Sequence, residues 1–236
     1  DLFKKYDINT DLVTIEKGET FNWGGKYSDD YSTRDTLYTN LGVFENYIPN
    51  IKSDISTDYL YLGNIQPSLQ LDVINKVSHK KRIVSDTMNL WINLDKNGLH
   101  DVIKKSDIFL LNDEEAIELT GKSNLNEIAK DLQDMGPEIV IIKKGANGCL
   151  LVSKTDTIEV PVYDQIELFD PTGAGDSFAG GLVGYISKYG EENIKEALVH
   201  ATATASFTVS DFGATGLTKS SRESFESRCK YIKSKL

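Results

Sequence analysis

The chain has 236 residues, of which 39% are hydrophobic, which is enough to bury the core of one large domain. Its formal net charge is −10 and its basic residues form only short groups such as Lys80-Lys81, which argues against a nucleic-acid partner. No run of about 18 apolar residues occurs, so we expect no membrane partner. Cys149 and Cys229 lack metal-type spacing and indicate a reduced, cytoplasmic setting.

The first part of the chain predicts short strands joined by turns. Three stretches between about Leu12 and Asn40 alternate apolar with polar residues: LVTIEK, TFNWGGKYS and DTLYTN. A ribbon of this kind has little core of its own. We expect residues 1–50 to form a lid-like β ribbon and the start of the core.

Residues 51–236 predict one α/β domain, because strand and helix patterns alternate along them. Predicted strands are 59–64, 82–87, 107–112, 138–145, 148–153 and 157–162; predicted helices are 67–78, 97–105, two across 113–135, then 176–189, 191–210 and 219–235. This order predicts a three-layer α/β/α fold with a mostly parallel central sheet. Ligands of such sheets bind at the carboxyl ends of the strands.

The stretch DPTGAGDSFAGG, residues 170–181, places three small residues directly before an acid at a helix start. Unpaired N–H groups there attract anions, and Gly173, Ala174 and Gly175 would let a phosphate approach them closely. A carboxylate beside a phosphate makes sense as a base that deprotonates an attacking hydroxyl, the role we expect for Asp176. The alternative is that Asp176 only caps its helix.

Two further stretches carry candidate ligands. LLNDEEAIELTG, residues 110–121, places Asn112 three residues before Glu115, which is also the spacing of a capping box. Asp86 and Asn89 follow a strand, where we favour a turn with a helix cap over a contact with phosphate or metal.

VIIKKGANGCLL, residues 140–151, joins an apolar strand to a turn containing Gly145 and Gly148. Lys143 or Lys144 could point at phosphate there, or both lysines could be solvated beside an ordinary hairpin turn.

These stretches together resemble the ribokinase-like (PfkB) carbohydrate kinases. The resemblance implies Asp176 as catalytic base and the Gly173, Ala174 and Gly175 amides as an anion hole for the transferred phosphate. It also implies a nucleotide site for ATP, with Lys143 as the better match to the nucleotide-facing position.

In the same resemblance, Gly145 and Gly148 form a tight turn under the nucleotide. Asn112 and Glu115 help to organise Mg²⁺ and the phosphates, with Glu115 acting through water. Asp170 and Thr172 match positions near a monovalent-cation site, K⁺, in several members of the family.

The early ribbon is similar to the lid that covers the substrate in this family, and a homodimer through the lid is one expectation. The family's opening strands and Gly-Gly substrate motif have no match, so we expect a chain that lacks the N-terminal portion. The implied function is ATP-dependent phosphorylation of a hydroxyl on a small sugar-like substrate. The alternatives are a nucleoside or vitamin-precursor kinase of the same fold, or a catalytically silent nucleotide-binding regulator.

Overall fold

A computed structural model describes residues 2–28, 34–51 and 55–236. The strands in these ranges are β1 (Asn22–Tyr27), β2 (Arg34–Asn40), β3 (Ser56–Leu62), β4 (His79–Asp86), β5 (Ile108–Asn112), β6 (Ile139–Lys143), β7 (Cys149–Ser153) and β8 (Thr157–Val160). The helices are α1 (Leu2–Lys5), α2 (Pro67–Lys76), α3 (Asn89–Leu94), α4 (Lys96–Lys105), α5 (Asp113–Thr120), α6 (Leu125–Met135), α7 (Ala174–Tyr189), α8 (Ile194–Thr208), α9 (Thr215–Lys219) and α10 (Arg222–Lys233).

The central sheet has the strand order β3-β4-β5-β6-β7-β8. Strands β3 to β6 are parallel, and β7 and β8 extend the sheet as antiparallel neighbours. Helices join the consecutive parallel strands, as parallel pairing requires. The predicted mostly parallel α/β/α fold is therefore confirmed.

Both faces of the sheet are covered, which explains why its strands are apolar without a polar side. In β5, Ile108 and Leu110 face the core formed with α7, α8 and α10, whereas Phe109 and Leu111 face the core formed with α3 to α6. All four side chains have no exposed surface. Burying a side chain of this size stabilises the fold by roughly 1.5–3 kcal/mol. The two cores hold the strand ends in fixed positions.

The N-terminal part forms a separate antiparallel pair, β1 with β2, whose register shifts between Gly24 and Gly25. The predicted ribbon is confirmed here, although residues 29–33 lie outside the described residues. The predicted strand LVTIEK is wrong: residues 12–17 pair with no strand in the described ranges, and Ile15 is 93% exposed. Without a partner, alternating residues form no ladder.

Three short helices, α1, α3 and α9, were not among the predicted helices. The residues before α3 and α9 are Met88 and Ala214, and neither side chain caps its helix. The start signal of a helix was therefore missing at both places. No helix in the described ranges is both long and apolar enough to cross a membrane.

Candidate active site

Polar residues end three neighbouring parallel strands. Asp86 ends β4, Asn112 ends β5 and Lys143 ends β6. The strand register pairs Asn112 with Lys143, so the ends of β5 and β6 lie side by side. The carboxyl edge of the sheet thus gathers charged and amide side chains where ligands of this fold class bind.

Lys143 and Asp86 form a buried ion pair at this edge. Lys143 Nζ lies 2.6 Å from Asp86 Oδ2, and the two side chains are 17% and 6% exposed. Asp86 Oδ1 accepts the amide hydrogen of Thr87 at 2.9 Å. Burial lowers the pKa of Lys143, but attraction to Asp86, and then to Glu115 and Asp176, outweighs it and leaves the pKa raised. Lys143 therefore stays protonated, and its ammonium group is held against Asp86.

The preference for a turn and cap at residues 86–89 needs a correction. Asp86 holds Lys143 instead of capping α3, because its strand ends next to the lysine. Asn89 donates a hydrogen bond to Glu118 of α5. Asp86 therefore belongs to the candidate site, whereas Asn89 joins two helices. The sequence signal that could have revealed this role of Asp86 is an acidic residue at the end of a buried strand.

The start of α7 places backbone amides beside Lys143. Gly173 is the N-cap residue, with a left-handed φ of 81° that favours glycine. A Cβ atom at Gly175 would lie 3.3 Å from Lys143 Nζ. Glycine therefore leaves open the space between the lysine and the first turn of α7, a positive environment suited to an anion.

One of the three expected anion-hole amides is already used. The Ala174 N–H donates to the Pro171 carbonyl at 3.1 Å, because the chain turns tightly there. Within the described residues, the amides of Gly173, Gly175 and Asp176 have no such partner. The Ala174 amide, which was expected in the anion hole, thus has an acceptor within the protein, whereas the amides of Gly173, Gly175 and Asp176 are open in the described part of the chain.

Asp176 lies in the first turn of α7 and is exposed to solvent. Its side chain forms no hydrogen bond or ion pair with the described part of the chain. The pKa of its carboxyl is raised, first because nearby protein atoms displace water and second because Asp86 repels its charge; Lys143 opposes both effects. A carboxylate with a raised pKa is a stronger base than an ordinary aspartate.

Asn112 and Glu115 form a capping box at the start of α5. The Glu115 amide donates to Asn112 Oδ1 at 2.7 Å, and the Asn112 amide donates to Glu115 Oε2 at 2.8 Å. Glu115 is 5% exposed and close enough to Lys143 to raise its pKa. The pair therefore stabilises α5 and also places a carboxylate behind the site.

The turn between β6 and β7 contains Gly145 and Gly148. Gly148 has φ 81°, and a Cβ there would meet the Val160 carbonyl oxygen at 2.0 Å, so close packing alone requires glycine. Lys144 Nζ pairs with Glu159 Oε2 at 2.8 Å, on the neighbouring strand β8. Of the two lysines, the structure brings Lys143 to the candidate site and directs Lys144 elsewhere.

The loop before α7 connects the small β sheet to the site. The Thr172 amide donates to Asp170 Oδ1 at 2.9 Å, and Thr172 Oγ1 lies 3.2 Å from the Tyr27 hydroxyl at the end of β1. The described ranges hold no group of three or more His, Cys, Asp or Glu side chains arranged for a metal ion. The monovalent-cation site at Asp170 and Thr172 stays a prediction.

A cavity of about 500 Å³ lies away from this edge, between α7, α8 and α10. Its charged residues include Lys233 with Glu196 and Arg222 with Glu226, which pair with each other. None of the candidate site residues lines it. We favour the strand edge as the active site, because open amides and a perturbed carboxyl converge there.

Known proteins with similar sequences include kinases. A cytidine kinase from Thermococcus kodakarensis is 27% identical over 178 residues, which cover 73% of this chain and 64% of that protein. The chain therefore spans less than two thirds of the length of this relative.

Solved structures show the fold. The nucleoside kinase of Methanocaldococcus jannaschii, described as an archaeal member of the ribokinase family, superposes with a TM-score of 0.77 at 20% identity, covering 98% of this chain and 75% of that one. A fructokinase from Vibrio cholerae, solved with fructose, ADP and a calcium ion, gives 0.76 at 18% identity, covering 97% and 79%. The architecture is that of the ribokinase-like α/β class.

The sequence pattern of the pfkB family of carbohydrate kinases matches residues 1–220. The chain belongs to this family.

Proposed function

We propose that the protein transfers the γ-phosphoryl group of ATP to a hydroxyl of a sugar or of a small molecule that contains one. The observation that carries this proposal is the position of Asp176, beside open amides at the start of α7 and close to the charged Lys143. A base and an anion cradle at one place are the two parts that phosphoryl transfer needs.

In the proposed reaction, Asp176 accepts the proton of the acceptor hydroxyl while that oxygen attacks the γ-phosphorus. The proton moves to a carboxylate oxygen, the new O–P bond forms, and ADP leaves with the electrons of the broken bond. The raised pKa of Asp176 favours the proton transfer. General-base catalysis of this kind contributes about 10²–10⁴-fold to a rate.

The amides of Gly173, Gly175 and Asp176 would donate hydrogen bonds to the phosphoryl oxygens as charge develops on them. Lys143 supplies a positive charge on the sheet side of the same space, and Asp86 keeps its ammonium group in place. Because these groups are fixed before the substrate arrives, little reorganisation is needed during transfer. Their arrangement fits a phosphate.

ATP-dependent transfer in this family also implies Mg²⁺, which would neutralise charge on the phosphates. Mg²⁺ usually keeps several waters and binds through one or two carboxylates and the phosphates. Glu115, already engaged by the Asn112 amide, fits such a water-mediated role better than a direct cage. Asn112 would orient that carboxylate. Monovalent K⁺ near Asp170 and Thr172 remains part of the proposal.

The small sheet β1–β2 would act as a lid. Its contact between Tyr27 and Thr172 places it against the loop that leads into α7. A lid over this loop would exclude water, so that ATP is not hydrolysed in place of transfer.

Relatives phosphorylate both nucleosides and sugars, as the names cytidine kinase and fructokinase state. The deciding experiment is ATP consumption by the protein that carries this chain, with cytidine, other nucleosides, ribose and fructose as acceptors. We expect ADP and a phosphorylated acceptor in equal amounts with one of these compounds. ATP binding without product from any sugar, nucleoside or vitamin precursor would instead support the silent regulator.

A further inference from the structure

The hydroxyl of Tyr61 is a buried polar atom without a hydrogen-bond partner in the described part of the chain. Tyr61 is the penultimate residue of β3, next to the strand that ends in Asp86. A buried hydroxyl without a partner destabilises a protein by about 1–3 kcal/mol. A group of this kind needs a partner, which a bound water or a ligand would supply, and at a strand end beside the candidate site we favour a ligand.

Strand register directs Tyr61 toward the start of α7. It pairs with Val84 of β4, and Asp86 lies two residues further on the same face of the sheet. This face packs against α7. A Cβ atom at Gly63 would lie 3.5 Å from Tyr61 Cε1 and 3.8 Å from its hydroxyl oxygen. The ring therefore leans toward the carboxyl end of its strand, where Asp86 holds Lys143.

The surroundings keep Tyr61 protonated. Burial, and then the charges of Asp86 and Asp176, raise its pKa above the ordinary range. A protonated phenol beside two carboxylates acts as a hydrogen-bond donor at neutral pH. In the described part of the chain, however, no acceptor lies within hydrogen-bond distance of this hydroxyl.

We propose that the Tyr61 hydroxyl donates a hydrogen bond to the phosphoryl group during its transfer. The proposal rests on the proposed function. A phosphoryl oxygen is a pure acceptor and carries negative charge, so it suits a buried donor. A bond to the attacking hydroxyl oxygen fits less well, because donating a hydrogen bond to that oxygen would lower its nucleophilicity toward phosphorus. Tyr61 would thus complete the cradle on the side opposite the α7 amides.

The test compares Tyr61→Phe with Tyr59→Phe. Both tyrosines point to the same face of β3, but the Tyr59 hydroxyl donates to Glu191 at 3.3 Å. We expect Tyr61→Phe to lower kcat by about tenfold to a hundredfold, the value of a hydrogen bond to a charged group, with little change in acceptor KM. Its urea midpoint should not fall, because no internal bond is lost. Tyr59→Phe should lower the urea midpoint slightly and leave kcat unchanged.

Equilibrium binding supplies a second measurement. Calorimetry with β,γ-imido-ATP and with ADP separates contacts to the γ-phosphoryl group from all others. We expect Tyr61→Phe to weaken the binding of the ATP analogue by about fivefold or more, while the affinity for ADP stays the same.

A Tyr61→Phe protein with kcat within twofold of wild type and an unchanged ratio of the two affinities would overturn the proposal. A fall in its urea midpoint as large as that of Tyr59→Phe, without a kinetic effect, would assign Tyr61 a structural role and overturn it as well. Asp176→Asn is assayed in parallel: if Asp176→Asn abolishes turnover and Tyr61→Phe does not alter it, only the Tyr61 proposal fails. If Asp176→Asn is fully active, the proposed function fails.

Discussion

Lys143 Nζ and Asp86 Oδ2 lie 2.6 Å apart in a buried ion pair at the carboxyl edge of the sheet, and the same ammonium group borders the first turn of α7. This pair joins β4 and β6 across the intervening strand β5. It therefore links the stability of the sheet edge to the geometry of the proposed phosphate site.

Replacing Lys143 by Met should both destabilise the protein and abolish turnover. Removing one partner of a buried pair leaves an uncompensated charge, which costs about 3–5 kcal/mol. Lys144→Met is the matched control, because its partner Glu159 is 67% exposed and such pairs are worth at most about 1 kcal/mol. Urea unfolding and steady-state kinetics measure both effects. Equal losses for the two variants would contradict the assignment of Lys143.

A double-mutant cycle should show coupling between Asp86 and Lys143. Asp86→Asn and Lys143→Met each leave one charge buried alone, whereas the double variant leaves none. We expect the double variant to be more stable than the sum of the single effects predicts, by about 0.5–3 kcal/mol. Additive effects in urea unfolding would mean that the two groups do not interact in solution.

Gly175→Ala should impair nucleotide use without harming the fold. The added methyl group would lie 3.3 Å from Lys143 Nζ, inside the space proposed for phosphate. Gly180→Ala, further along α7, adds the same methyl group where nothing lies within 4 Å and should raise stability by about 1 kcal/mol. We expect kcat/KM for ATP to fall about tenfold or more for Gly175→Ala alone. An unaffected kcat/KM would place the phosphate elsewhere.

The capping box at Asn112 can be separated from its proposed role with Mg²⁺. Asn112→Ala and Ser221→Ala each remove an N-cap side chain that bonds the amide of the third helical residue, and each should cost about 1 kcal/mol of stability. Only Asn112→Ala should also raise the Mg²⁺ concentration needed for half-maximal activity. The same Mg²⁺ dependence in both variants would reduce Asn112 to a helix cap.

The raised pKa of Asp176 predicts a dependence of stability on pH. A carboxyl with a higher pKa in the folded protein stabilises the fold while protonated, and this contribution is lost as pH rises through the folded pKa. At neutral pH, Asp176→Asn should therefore be more stable than wild type, and the difference should disappear below the ordinary pKa of 3.8. The control is Asp134→Asn, which replaces an exposed aspartate on α6 and should show no such gain in stability. Urea unfolding at several pH values decides this.

The sequence alone was sufficient to predict features whose residues lie close together along the chain. The turn before Asp176 is followed at once by the helix it begins, and Asn112 and Glu115 are three residues apart. Apolar, β-branched runs indicated the buried strands because both faces of the sheet are covered. These features depend on local geometry, which the order of residues expresses directly.

The remaining features depend on contacts between distant residues. Asp86 and Lys143 are 57 positions apart and meet only through the order of the strands. The unpartnered hydroxyl of Tyr61 becomes visible only when its neighbours are known. The bond from the Ala174 amide to Pro171 depends on the exact path of a turn, which residue types alone do not determine.

The central claim is that Asp176 removes the proton of the acceptor hydroxyl. The most direct measurement is kcat of Asp176→Asn, with Asp134→Asn as control and ATP affinity followed by calorimetry. The claim predicts a fall of kcat by about 10²–10⁴-fold, with ATP affinity within a few-fold of wild type and a normal control. A kcat within about tenfold of wild type for Asp176→Asn would contradict it.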